Sequence, residues 1–226
     1  MRYRTALESD VEQIALLHAE SWRRTYRGML RDEFLDGDVV TNRREAWRDR
    51  LRRPRADQFV CVADDQGQLL GFVCAYGNED PTWGSLVDNL HVAHEHRGGG
   101  VGTRLMGHAR VWLLTNYPRC GVYLWVMEAN RSARRFYEKL EATNEGIVEK
   151  ENPGGGSARN CRYAWSSPRA LGSPVRKDGR WSNADEDRIE VVEYDPRWLS
   201  SFEQEAASIR SAGSDRVRGL LPCAGR

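Results

Sequence analysis

Four glycines fall within five positions in Arg97-Gly98-Gly99-Gly100-Val101-Gly102-Thr103. An extended run ending Leu90-His91-Val92 precedes them. Val101, Leu105, Ala109, Trp112 and Leu113 follow at helical spacing. Glycine lets a backbone approach a ligand closely and turn its N–H groups inward. The first turn of a helix adds unpaired N–H donors and the positive end of the dipole. Together these features suit an anion the size of a pyrophosphate. Taken alone, the stretch reads equally well as a strand-to-helix connection with several glycines.

Two nucleotide motifs are excluded. A P-loop ends Gly-Lys-Ser or Gly-Lys-Thr, whereas Thr103 follows Gly102 directly. A dinucleotide fold places its glycine turn after the first strand, with an acidic residue about 20 positions on. Here at least three strands are expected before the turn.

The elements around the turn are legible from periodicity and punctuation. Residues 2–6 read as a strand. Ser9 and Glu12 form a capping-box pattern before a helix carrying Val11, Ile14, Ala15, His18 and Trp22. A second helix is expected from Arg43 to Arg53, stopping before Pro54. Strands at 58–63 and 69–76 flank the turn Asp64-Asp65-Gln66-Gly67 as a hairpin. Further strands fall at 85–92 and 122–127. Asn130 suits the N-cap of a helix with Ala133, Phe136, Tyr137 and Leu140 on one face. Residues 143–150 and 159–165 complete a last hairpin around Pro153-Gly154-Gly155-Gly156-Ser157.

Composition bounds the function. The chain has 226 residues, 30% of them charged, and a formal net charge of +1. That balance supplies no field for a nucleic-acid backbone or an acidic membrane. No apolar run reaches the ~20 residues of a membrane span. The five cysteines Cys61, Cys74, Cys120, Cys161 and Cys223 are odd in number and lack Cys-x-x-Cys spacing. With no leader before them, buried free thiols in a cytoplasmic protein are expected. His94 and His96 lie close together without a surrounding ligand set, so no metal site is expected.

At this point the motifs resemble a known family. Arg97-Gly98-Gly99-Gly100-Val101-Gly102 is similar to the Arg/Gln-x-x-Gly-x-Gly/Ala signature of the GNAT N-acetyltransferases. Asn89-Leu90-His91-Val92 resembles the end of that family's central strand. Asn130 through Leu140 resembles its Asn-x-x-Ala-x-x-Phe-Tyr helix, and Ser21 through Gly28 the first helical region of one common branch. Four blocks in order cover residues 1–166.

The resemblance implies an α/β fold with a central mixed, mostly antiparallel, twisted sheet and flanking helices, plus a short, partly disordered C-terminal extension. It implies acetyl-CoA as acetyl donor and an amine acceptor, either a small molecule or a protein N-terminus or lysine, attacked directly in a ternary complex. Neither nucleic acid nor membrane is implied as a partner; a homodimer is an option. By resemblance, the backbone of Arg97, Gly98, Gly99, Gly100, Val101, Gly102 and Thr103 holds the CoA pyrophosphate, and Leu90, His91 and Val92 pair with pantetheine. The following strand, 122–127, is implied to splay away and leave a slot. Asn130 lies near the pantetheine arm, and is also simply a helix cap. Tyr137 matches the tyrosine that protonates the departing thiolate, and is also a plausible core aromatic. Two positions depart from the family. Trp125 stands where some members carry a glutamate base, and Glu141 where a glycine is frequent. Asp88 and His91 remain as candidate bases. Trp22, Tyr26, Trp47 and Trp83 line an acceptor pocket or belong to the core.

One domain is expected, the acetyltransferase body at 1–166, followed by a Ser-, Pro- and Gly-rich linker at 167–188 and a truncated fragment at 189–226. The fragment, with Ile189–Trp198 and Phe202–Ala206, resembles the opening of GrpB-like, nucleotidyltransferase-like proteins, without their later His-x-Gly-Ser-Thr segment. A non-catalytic acetyl-CoA sensor is the competing function. A GrpB-like nucleotidyl-transfer protein is a third.

Overall fold

A computed structural model describes residues 1–172. The expected GrpB-like fragment at 189–226 lies outside the described residues, as does most of the expected linker. Seven strands form one sheet: β1 (Arg2–Thr5), β2 (Gln58–Asp65), β3 (Gln68–Asp80), β4 (Gly84–Val92), β5 (Val122–Met127), β6 (Thr143–Glu151) and β7 (Ser157–Trp165). Five helices flank it: α1 (Val11–Thr25), α2 (Asp32–Asp36), α3 (Val39–Arg52), α4 (Val101–Asn116) and α5 (Arg131–Lys139). The strand order is β1-β2-β3-β4-β5-β7-β6. Only the β4–β5 pair is parallel. The sheet is therefore mixed and mostly antiparallel, as expected.

Alternation along the strands divides the core in two. Val87 of β4 and Val122, Leu124 and Val126 of β5 meet Val101, Leu105, Met106, Ala109 and Trp112 of α4, and Tyr137 of α5. On the other face, Val60, Val62, Phe72, Cys74 and Tyr76 meet Ile14 and Ala15 of α1 and Trp47 of α3. Burying a large aliphatic or aromatic side chain contributes about 1.5–3 kcal/mol. The hairpin between β2 and β3 turns through Gln66 and Gly67, both at positive φ (53° and 90°). That is the backbone a tight two-residue connection requires.

Three local expectations are corrected. The Ser9–Glu12 capping box is absent, because its carboxylate is engaged elsewhere. Glu12 pairs with Arg44 of α3 at 2.7 Å. Asp10 instead accepts from the Leu7 N–H at 2.7 Å and pairs with Arg4 at 2.7 Å. Helix α3 starts at Val39, four residues earlier than its charge pattern suggested, and the short α2 was not anticipated. The packed body also continues beyond residue 166. Pro168–Ala170 form a 3₁₀ turn, and Leu171 is 1% exposed within the core of the α4 face.

Cys61, Cys74 and Cys161 are buried free thiols. Among the described residues, no helix is long and apolar enough to cross a membrane.

Candidate active site

Strands β4 and β5 begin side by side and then separate. Their register holds only at Ser85↔Val122 and Leu86↔Tyr123. The start is pinned by close backbone contact: the Ser85 N–H donates to the Gly121 carbonyl at 2.8 Å. Beyond Leu86, β4 continues to Val92 while paired only to β3, so its other edge lies open. Its pairing with β3 skips from Cys74↔Asn89 to Ala75↔Val87, which leaves Asp88 as the extra residue of a bulge. A bulge bends the strand and re-aims the side chain at that point.

The gap between the strands is a cleft of about 440 Å³, lined on one side by Val87–Val92 and on the other by Leu124, Trp125 and Val126. One end reaches Arg97, Gly98, Gly100, Gly102 and Thr103, and the other wall carries Asn130, Ala133, Phe136 and Tyr137. The structure therefore gathers most of the residues expected at the site, separated by up to 47 positions in sequence, around one cavity; Gly99 does not line it, and Val101 is 4% exposed and packs into the core.

The glycine turn presents open backbone at one end of the cleft. Gly98 and Gly100 have φ of 79° and 84°, a conformation that disfavours any side chain, and a Cβ placed on either meets no atom within 4 Å. Space has been left there rather than filled. Helix α4 begins its ladder with the Arg104 N–H on the Gly100 carbonyl at 3.0 Å. The N–H groups of Val101, Gly102 and Thr103 thus form the open, electropositive end of a 16-residue helix.

Asn130 is 9% exposed, and its Oδ1 accepts from the Ala133 N–H at 3.1 Å. It is a helix cap, as one of its two readings held. Burial raises the pKa of the nearby Tyr26 phenol, and Asn130 acts in the opposite direction. Tyr26 comes from the end of α1 and lines the cleft, whereas Trp47 is fully buried core. Tyr137 stands edge-on to Phe136 at 5.1 Å and lines the cleft as well. Burial, and next the neighbouring Tyr26, push its phenol well above the usual tyrosine range.

The two candidate bases differ. His91 points to α1: its Nδ1 lies 2.9 Å from the Ser21 hydroxyl, and its ring lies 4.2 Å from that of His18. Burial, then the charges of Arg97 and Arg43, press its pKa down to about 3. His18 behaves alike; it accepts from the Trp47 indole N–H at 2.9 Å and is held neutral by burial. An efficient general base has a pKa near the working pH, and His91 does not. Asp88, the only carboxylate among the described residues lining the cleft, pairs with Arg50 at 2.8 Å. Ser21, Thr25 and Tyr26 lie in the 21–28 block, and of the three only Tyr26 is singled out by the sequence for a pocket; all three reach the cleft, because of how α1 crosses β4.

An open helix end, a strand with a free edge and a slot between diverging strands define a site for a long thioester donor with a phosphate-bearing tail. Comparisons with known proteins agree. Residues 19–141 match the family described as Acetyltransferase (GNAT) family, and the chain belongs to it. It is an acetyl-CoA-dependent acyltransferase. A protein of Mycobacterium tuberculosis named as a probable N-acetyltransferase is 28% identical over 148 residues, which span 65% of this chain and 82% of that protein. The fold matches that of the PaiA N-acetyltransferase of Thermoplasma acidophilum, solved in complex with coenzyme A. The TM-score is 0.55 at 18% identity, over 73% of this chain and 98% of that one. A 40-residue stretch is 60% identical to a UPF0157 protein of Pseudomonas aeruginosa but covers only 16% of it. The expected GrpB-like resemblance is not established by that partial match.

Proposed function

We propose that the chain moves an acetyl group from acetyl-CoA to a primary amine by direct attack in a ternary complex. The observation that carries this reading is the splay of β4 from β5 beside the open N-terminus of α4. The N–H groups of the Gly98–Thr103 turn would hold the pyrophosphate. The open edge of Leu90, His91 and Val92 would pair with the amide-bearing arm, with Asn130 beside it. Acetyl-CoA supplies an activated acyl group with a thiol leaving group.

The chain's own residues then act on protons and orientation. Backbone N–H donors at the slot favour the negative charge that develops on the carbonyl oxygen. Tyr137 keeps a proton on its hydroxyl for the departing sulfur, and the buried setting that raises its pKa keeps that proton in place at neutral pH. The ammonium of the acceptor must lose a proton before it attacks, and Asp88 is the cleft's anionic group for drawing that cation in. A cysteine nucleophile is not supported. Burial pushes the Cys61 and Cys74 thiols up to about 12, away from the reactive thiolate. A pure sensor would need the glycine turn but not a tyrosine held over the slot.

Titration calorimetry with acetyl-CoA tests the reading. Micromolar binding to the full chain, and none to a Gly100→Glu, Gly102→Glu variant, is the expected result. Absence of binding to the unaltered chain would refute it.

A further inference from the structure

Strand β7 inserts between β5 and β6 and brings two cations onto the indole that walls the cleft. Trp125 and Arg162 are cross-strand partners, with the guanidinium carbon 4.5 Å from the Trp125 ring centre and 4.3 Å from that of Trp83. Lys150 Nζ lies 4.1 Å over the same Trp125 ring. These contacts are on the sheet face that carries α1 and α3, opposite the core packed by α4.

Neither cation has a carboxylate partner within ion-pair distance among the described residues. Other arginines nearby are paired: Arg50 with Asp88 at 2.8 Å, Arg55 with Glu79 at 2.5 Å and Arg159 with Glu128 at 2.6 Å. Arg162 Nε is buried and has no hydrogen-bond partner. A buried guanidinium N–H without an acceptor is costly, and its planar fork matches a carboxylate in particular. Stacking on Trp83 and Trp125 holds that fork in place. The ammonium of Lys150 is disfavoured first by burial; the charge of Asp88 opposes this, and the charge of Arg162 adds to it.

We infer that the acceptor is an amino carboxylate, with its acid group held by Arg162 and Lys150 and its amine directed to Asp88. This rests on the acetyl-transfer reading above. A polyamine would bring further positive charge against two cations that lack an ion-pair partner among the described residues, with Asp88 acting on Lys150 only from a longer distance, whereas an amino acid supplies a carboxylate to both.

The test is release of free CoA by the full chain from acetyl-CoA, with the twenty common L-amino acids, each beside its carboxamide, and spermidine. At least one amino acid should exceed its amide by tenfold or more in kcat/KM. Arg162→Met and Lys150→Met should reduce that ratio below threefold while the KM for acetyl-CoA stays within twofold. Arg162→Lys should restore part of the ratio, which a merely structural role would not predict. Spermidine or an amide acetylated in preference to every acid would overturn the inference and leave the acetyl-transfer reading intact. If acetyl-CoA binds and no amine is acetylated, that reading fails instead. The amino acids are then titrated calorimetrically into the CoA-bound chain, and no binding by any of them would overturn the inference separately.

Discussion

Leu86 of β4 and Tyr123 of β5 are the last residues those two strands pair before they part. Just before that pair, the strands touch at Gly84 and Gly121. A Cβ on Gly84, where φ is 84°, would lie 2.3 Å from the Gly121 carbonyl oxygen. The opening of the slot is thus hinged on a contact that only glycine permits. Gly84→Ala must strain the backbone and push β5 away, at a combined cost of about 2–5 kcal/mol. Thermal melting should show a loss of several degrees. An unchanged melting temperature would mean the strands are not pinned there.

Tyr137→Phe removes a hydroxyl from the cleft while keeping the ring against Phe136, Tyr163 and Trp165. A positioned general acid contributes typically ~10²–10⁴-fold. We expect kcat to fall by at least ~10²-fold, with acetyl-CoA affinity within twofold by calorimetry. Because the phenol sits well above its usual range, its ionisation should not limit turnover below about pH 10. A kcat profile that falls between pH 8 and 9 in the wild type but not in the Phe variant would overturn the raised pKa, and a kcat in the Phe variant within threefold of the wild type would overturn the role itself.

Much of this site was readable in the sequence, for local reasons. The glycine turn and the α4 stripe are contiguous, and the Asn130 cap acts on Ala133, three residues on. The acceptor side was not readable. Trp125, Lys150 and Arg162 meet only because β7 enters the sheet between β5 and β6, a crossover that no periodicity records. The Ser9–Glu12 cap failed for a similar reason: Arg44 lies 32 positions from the glutamate it captures. Likewise, His91 looked like a possible base until α1 was seen to cover it with Ser21 and His18.

That covering has a consequence for stability against pH. His91 has a folded pKa of about 3, below its unfolded value of ~6.5. Between these values the unfolded chain binds a proton that the folded chain does not, so stability falls as pH drops from 6.5 toward 3. The slope is about 1.4 kcal/mol per pH unit for one proton, and His18 acts in the same direction. Urea unfolding at pH 7, 6 and 5 should show this decline. His91→Asn should flatten it by about one proton; an identical slope in the variant would place the titration elsewhere.

The C-terminal boundary of the folded body follows from Leu171. This side chain is 1% exposed in the core of the α4 face, and the Gly172 N–H reaches the Leu140 carbonyl at 3.3 Å. A chain ended after Gly172 keeps both contacts. A chain ended after Ser166 loses them together with Pro168, and removal of a buried leucine alone costs about 2–5 kcal/mol. We therefore expect the 1–172 chain to melt within a few degrees of the full chain and to bind acetyl-CoA with the same affinity. The 1–166 chain should be markedly less stable. Equal stability of the two truncated chains would show that Leu171 contributes nothing to the core, and a 1–172 chain that fails to fold would show that residues beyond 172 are needed by the catalytic body.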